Sequence, residues 1–324
     1  MPGITRRTLL GTLAASQAAG LALAWRPPGP IRLLIPFAAG GATDRLGRLI
    51  APVLGQRLGT PVTVEDLPGE SGQRAIAELA RAAPDGHTLV IGNLGTFAFN
   101  PHLFARLAYD PLRDMAPIGL IGTSPMVLLA SQASTIRDAG TLRQRAREGR
   151  LTIGSAGRGS ALYMGGTMLM WALGDGGELV PYTGGGPALE DLQAGLLDVM
   201  VDQAITAIPA THLGARAIAV LRPQRRPELA TVPTAAEIGL GLPELAIWNM
   251  LAAHSATPDL IIQALAGALD ATLEDEMLAQ RLATESVITP DATERGPAAA
   301  AALIGAEHAR WGAFIRASRM EREG

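Results

Sequence analysis

The 324-residue chain contains no cysteine, and all 27 of its basic residues are arginine, so lysine is absent as well. Without cysteine there can be no disulfide, thiolate metal site, cysteine nucleophile or lipid-modified amino-terminal cysteine. Without lysine there is no Schiff-base lysine and no phosphate-binding loop of the Walker type. Aromatic residues make up only 4% and charged residues 18%. The charge balance, 27 basic against 30 acidic residues for a net charge of −3, lacks the basic surplus of a nucleic-acid binder, so no nucleic-acid partner is expected. What is plentiful is aliphatic material: hydrophobic residues reach 48%, beside 38 glycines and 23 prolines. Such a chain can bury a large core between many turns and does not have the composition of a disordered one. Its length suits about two domains.

Residues 1–24, MPGITRRTLLGTLAASQAAGLALA, read as an export signal: Arg6-Arg7, then the weakly apolar stretch Thr8 to Leu23, then the small-residue site Ala22-Leu23-Ala24 before Trp25. Thr5-Arg6-Arg7-Thr8-Leu9-Leu10 also resembles a twin-arginine signal, so Sec and twin-arginine export both stay open. Gly11, Ser16 and Gln17 interrupt the apolar run, which falls short of the ~20 residues of a spanning helix. The expected location is therefore periplasmic, with cleavage near Ala24.

From Ile31 onward the chain alternates short apolar strands with glycine loops and helices: a strand at Ile31–Ile35, a helix from Thr43 to about Leu58, strands at Pro61–Glu65 and His87–Ile91, and a helix at Gln73–Ala82. After a linker-like stretch, Tyr109 to Pro117, the rhythm resumes. Strand material spans Ile118–Ala130, a helix Ser134–Arg147, and further strands Leu151–Gly154, Glu178–Pro181, Asp198–Val201 and Ala215–Leu221. Repeated βαβ units predict an α/β fold with a parallel sheet. Two such blocks predict two lobes: residues 25–124 plus 226–324, and residues 125–225. In the tail, Ile261, Leu265, Leu269, Leu273 and Met277 recur every four residues and are expected to form one buried helical face. A last helix is expected from Pro297 to Arg316.

Chemistry is expected at the glycine loops Ala38–Thr43, Pro68–Gly72, Gly92–Thr96, Ser155–Ser160 and Thr183–Pro187. Ligands of open α/β sheets bind beyond the carboxyl ends of the strands. Glycine lets the backbone approach a ligand, and the free N–H groups of the following helices favour anions. Thr43, Thr96, Ser155, Ser160 and Thr183 add hydroxyls. Any one of these loops reads as an ordinary β–α turn; together they leave turn and ligand cradle both open. A carboxylate could be held there by backbone alone. Asp44 and Asp202 each stand beside a strand end; ligand contact, and for Asp44 simple favouring of its helix terminus, both remain open. There is no G-x-S-x-G nucleophile elbow, and Gly154, Gly157 and Gly159 do not fit the dinucleotide fingerprint. His87, His102, His212, His254 and His308 have no metal-ligand spacing. Neither a cofactor nor a metal is expected.

The segment Pro30-Ile31-Arg32-Leu33-Leu34-Ile35-Pro36-Phe37-Ala38-Ala39-Gly40-Gly41-Ala42-Thr43-Asp44 resembles the opening of the Bug/TctC family, the solute-binding proteins of tripartite tricarboxylate transporters. Val64-Glu65-Asp66-Leu67-Pro68-Gly69, Ala83-Pro84-Asp85-Gly86-His87-Thr88-Leu89, Tyr109-Asp110-Pro111-Leu112-Arg113-Asp114, Pro181-Tyr182-Thr183-Gly184-Gly185-Gly186-Pro187-Ala188 and Val232-Pro233-Thr234-Ala235-Ala236-Glu237 are similar to its other motifs, in order along the chain. The resemblance implies a two-lobe architecture like that of type II periplasmic binding proteins, with a ligand cleft between the lobes. It implies capture of a small organic carboxylate for delivery to transporter membrane subunits, and no enzymatic activity; nothing in the sequence suggests an obligate assembly, so a monomer is expected. By position it implies contacts from Phe37, Ala39, Gly40, Thr43, Asp44, Thr96, Ser155, Gly159, Ser160, Thr183, Gly185 and Asp202. Thr183, Leu67, Gln203 and His254 depart from the family pattern, which leaves the ligand's identity open. Two other readings stand beside this one: an exported hydrolase or isomerase using Asp44 or Asp202, and a sensing module for a membrane signalling partner.

Overall fold

The computed structural model describes residues 25–149, 151–318 and 320. The export signal and its cleavage site lie outside the described residues. In chain order the strands are β1 (Ile31–Ile35), β2 (Val62–Asp66), β3 (Thr88–Asn93), β4 (Met115–Ala130), β5 (Leu151–Ser155), β6 (Gly177–Pro181), β7 (Val199–Gln203), β8 (Arg216–Val220) and β9 (Ala246–His254). The helices are α1 (Ala42–Leu58), α2 (Gln73–Arg81), α3 (Asn100–Leu103), α4 (Ala139–Arg147), α5 (Ala161–Ala172), α6 (Gly185–Ala194), α7 (Ala204–His212), α8 (Asp259–Leu273), α9 (Glu276–Thr284) and α10 (Gly296–Ala317).

The strands follow the order β2-β1-β3-β9-β4-β7-β5-β6, with β8 also on β4. Within each half the βαβ strands are parallel, β1 with β2 and β3, and β5 with β6 and β7. The halves are joined by β4, which runs antiparallel to β9 from Met115 to Pro125 and then to β7 and β8 from Met126 to Ala130. Proline is disfavoured inside a strand because it cannot donate to the ladder. Here Pro117 sits beside a register shift and Pro125 stands where β4 changes partners. After β8 the chain stays with the second half: Val220 N–H donates to Pro233 O at 2.9 Å, and Ala235 N–H to Val220 O at 2.9 Å. Arg143 of α4 donates to Gly239 O at 2.6 Å.

Strand β1 shows how the apolar runs are used. Ile31, Leu33 and Ile35 face Leu46, Ile50 and Leu54 of α1 and Leu265 and Leu269 of α8. Leu34 points the other way, into a cluster with Ile76 and Leu79 of α2 and Phe97 and Phe99. Each such side chain contributes about 1.5–3 kcal/mol on burial. Arg32 breaks the run and lies at the surface, paired with Glu65 at 2.9 Å.

Several expectations shift. Strand β4 begins at Met115, so the linker-like stretch is shorter than Tyr109–Pro117. The helix expected from Ser134 starts at Ala139, because Asp138 caps it reciprocally with Thr141. Gly92 and Asn93 belong to β3, and the turn that follows is a π turn at Gly95–Phe99. Helix α7 and strand β9 were not foreseen. The four-residue stripe in the tail ends at Leu273: the helix stops there, Asp275 caps α9 by accepting from Leu278 N–H at 3.1 Å, and the phase changes. Met277 is accordingly 83% exposed, while Leu278 and Leu282 are buried. Leu278→Ala should therefore cost about 2–5 kcal/mol, and Met277→Ala less than about 0.5 kcal/mol, as read by urea unfolding. Equal losses would contradict this change of phase.

Candidate ligand site

The first loop of the site is held from behind. Strand β1 ends at Ile35, and Pro36-Phe37 leads into the loop before α1. Gly40 takes φ +79°, and its N–H donates to Asp44 Oδ2 at 2.7 Å. Asp44 in turn pairs with Arg48 at 2.6 Å, and Arg48 with Asp66 at 2.6 Å. Burial, and then the neighbouring Asp44, pushes the Asp66 carboxyl above the ordinary carboxylate range. A charged cluster on the first turn of α1 thus fixes the path of residues 38–41.

Three more strand-to-helix junctions come from the second half. Ser160 caps α5, accepting from Tyr163 N–H at 3.0 Å. Gly184 precedes α6 and Gln203 precedes α7. The amino ends of α1, α5, α6 and α7 converge on one narrow cavity. Its wall includes Phe37, Gly41, Ala42 and Thr43 from the first junction and Asn93 from the end of β3. It is completed by Ala156, Ser160, Ala161 and Leu162, by Gly185, and by Gln203. Only α5 among these four helices carries a side-chain cap bond; the starts of α1, α6 and α7 have none. The first-turn N–H groups of α1 and α6 carry partial positive charge without a side-chain acceptor, while in α7 Ile205 N–H donates to Ser124 Oγ at 3.4 Å. No Arg, His, Asp or Glu lines the cavity.

The two sides close on each other through backbone. Ala38 N–H donates to Thr183 O at 3.4 Å. A β-carbon placed on Gly184 would lie 2.7 Å from Ala38 N, and one on Gly95 would lie 2.6 Å from Gly159 O. Glycine is required along this seam because backbone meets backbone there.

Of the residues expected at the site, Phe37, Thr43, Ser160 and Gly185 line the cavity. Ala39, Gly40 and Thr183 are exposed at its seam. Asp44 lies behind the first loop. Gly159 packs against Asn100 across the seam. The Thr96 hydroxyl is used inside its own turn, accepting from Asn93 N–H at 2.9 Å and donating to Asn93 O at 3.1 Å. Ser155 is buried at the end of β5, and its hydroxyl has no hydrogen-bond partner among the described residues. Asp202 is fully buried, accepting from Gln203 N–H at 2.8 Å and Thr206 Oγ at 2.7 Å; burial pushes its carboxyl up to about 6. Asn93 and Gln203 line the cavity and Asn249 stands behind them, although none was among the expected contacts. The first two sit at carboxyl ends of strands, the position that marks a ligand in such sheets. The histidines, which lack metal-ligand spacing in the sequence, include one close pair: the His102 and His308 ring centroids are 4.4 Å apart, and neither residue lines the cavity. Among the described residues no group of three His, Cys, Asp or Glu could hold a metal ion.

A mixed α/β fold of two lobes, with helix amino ends meeting at an uncharged cavity between them, defines a solute-binding protein of the periplasmic-binding-protein type. The chain belongs to the tripartite tricarboxylate transporter receptor family, TctC, whose description matches residues 46–320. It is similar to BugT of Bordetella pertussis, 30% identical over 90% of this chain and 89% of that one. MatC of Rhodopseudomonas palustris, solved with bound malate, superposes with a TM-score of 0.85 at 34% identity, covering 89% of this chain and 99% of its own. A second R. palustris protein, solved with adipate, gives 0.84 at 29% identity over 90% and 97%.

Proposed function

We propose that this protein is an exported receptor that captures a small organic carboxylate between its lobes and delivers it to the membrane subunits of a tripartite tricarboxylate transporter. The observation that carries this reading is the convergence of four helix amino ends on a cavity whose wall holds no charged side chain. Unpaired N–H groups at helix starts favour an anion without a basic residue. The malate and adipate held by the two R. palustris relatives support the same ligand chemistry. The role is binding without turnover. Asp44 is engaged by Gly40 N–H and Arg48, and Asp202 by Gln203 N–H and Thr206, so neither stands free as a base. Among the described residues no helix is long and apolar enough to cross a membrane, in keeping with a periplasmic receptor released by cleavage near Ala24. We further propose that it acts as a monomer, and that the lobes comprise residues 25–124 with the tail, and residues 125–225. The hydrogen bonds of residues 233–239 to β8 and α4 support counting that segment with the second lobe, so that the tail returning to the first lobe begins after it.

Thermal unfolding tests the reading. With ligand at about 100 times its dissociation constant, stability should rise by about 2.7 kcal/mol. Malate, succinate and adipate are the first probes, with their diamides as controls. A shift with an acid and none with its diamide is the expected outcome. No shift with any carboxylate, on protein shown to be folded and ligand-free, would overturn it.

A further inference from the structure

Asp202 is a fully buried carboxyl set directly behind the cavity wall. It precedes Gln203, a wall residue, and its Oδ2 would lie 3.7 Å from a β-carbon placed on Gly185, another wall residue. Its hydrogen bonds suit a neutral carboxyl better than a charged one. Oδ1 accepts from Gln203 N–H at 2.8 Å in either state. Oδ2 lies 2.7 Å from Thr206 Oγ, which in turn lies 2.9 Å from Gln203 O. A hydroxyl has one proton to donate, so beside a charged Asp202 it can serve only one of these two contacts. With a proton on Oδ2 both are made: Oδ2–H donates to Thr206 Oγ, and the hydroxyl donates to Gln203 O.

No charged side chain steadies the ionised form. On the elements packed against β7 the titratable groups are Tyr163 of α5, Glu190 and Asp191 of α6 and His212 of α7, while β4 and β5 carry none. None of these acts on the Asp202 carboxyl: burial raises it, and the bonds from Thr206 and Gln203 lower it. Across the cavity, Asp44 is paired with Arg48. An anion held in the cavity brings a like charge to the other side of one wall residue. Each of two like charges disfavours the ionised form of the other, and more so away from water. The coupling is reciprocal: an anion that favours the protonated carboxyl is itself held more tightly when the carboxyl is protonated.

We propose that Asp202 is a proton site coupled to the ligand site: the receptor takes a proton from solvent onto Asp202 Oδ2 as it binds its acid, and returns it on release. This rests on the carboxylate reading above. The probe is whichever of malate, succinate and adipate binds tightest, titrated calorimetrically into the native protein and Asp202→Asn at pH 5, 6, 7 and 8. Comparing the two proteins cancels the ionisation of the acid itself. They should bind equally at pH 5, and the native protein about tenfold more weakly than the variant at pH 8. At pH 6.5, titrations in two buffers of different ionisation enthalpy should show the native protein taking up about half a proton on binding, and the variant no comparable uptake. Melting curves establish that the variant is folded. An affinity ratio that stays within twofold at every pH overturns the inference and leaves the carboxylate reading standing. So does a native protein that takes up no proton, or a folded variant that binds more weakly than the native protein at pH 8. Failure of all three acids to bind overturns both.

Discussion

Gly186→Ala should weaken ligand binding about 100-fold while leaving the unliganded protein folded. Gly186 is the second residue of α6, where alanine is the better helix former by about 1 kcal/mol. The added methyl would nevertheless overlap the carbonyl oxygen of Ala39 and come within 3.1 Å of the carbonyl carbons of Ala39 and Gly40. The first loop has little room to retreat, because Gly40 is bonded to Asp44, and Asp44 to Arg48. The overlap is relieved most readily by separating the lobes. A ligand that needs both sides then pays for the closed state, and its apparent affinity falls with the fraction of molecules that can close. A 100-fold loss corresponds to about 2.7 kcal/mol. Gly267→Ala in α8, where an added β-carbon meets nothing, serves as the control and should leave affinity unchanged. Calorimetric titration reads both variants, and solution scattering reads the open shape. Affinity within threefold of the native protein at Gly186→Ala would show that closure does not pass through this seam.

Much of the fold was legible in the sequence because one physical signal, the alternation of short apolar runs with glycine loops, reports βαβ units directly. The places where the reading failed have local causes. Strand β9, Ala246–His254, is buried over most of its length and so carries no polar alternation to mark it. Met277 continued a four-residue spacing that the chain itself had ended, since the Asp275 cap restarts the helix in a new phase. The site divides in the same way. Phe37, Thr43, Ser160 and Gly185 were found because they stand at strand-to-helix turns rich in glycine. Gln203 and Asn93 are the final residues of strands with no glycine after them in the first case, and Asn249 lies in mid-strand. Their roles depend on which strands become neighbours, β3 with β9 and β9 with β4, and no local pattern encodes that pairing. Thr96 illustrates the opposite error. Its hydroxyl suits a ligand by sequence, yet the three-residue return to Asn93 consumes it.

Asp202→Asn should stabilise the protein at neutral pH and leave it no more stable at pH 4. The native carboxyl has no exposure, and the forces acting on it are burial, which raises its pKa, and hydrogen bonds from Thr206 and Gln203, which lower it. Burial wins, moving the group from 3.8 to about 6. A carboxyl whose pKa is higher in the folded state than in the unfolded one binds its proton more tightly when folded. Its contribution to stability is therefore fully present below about pH 4 and is lost as pH rises through 6. The difference amounts to roughly 3 kcal/mol. Asparagine keeps the acceptor for Gln203 N–H, and its Nδ2 can donate to the Thr206 hydroxyl, which already donates to Gln203 O at 2.9 Å. No buried partner is orphaned by the exchange. Other groups titrate over the same range, so the informative quantity is the stability of Asp202→Asn minus that of the native protein, from urea unfolding at pH 4, 5, 6 and 7. That difference should rise with pH and level off above about 6. A difference that stays flat across the range would mean that Asp202 is charged throughout, held by more than the two hydrogen bonds it accepts, and the balance between burial and those bonds would have to be reversed.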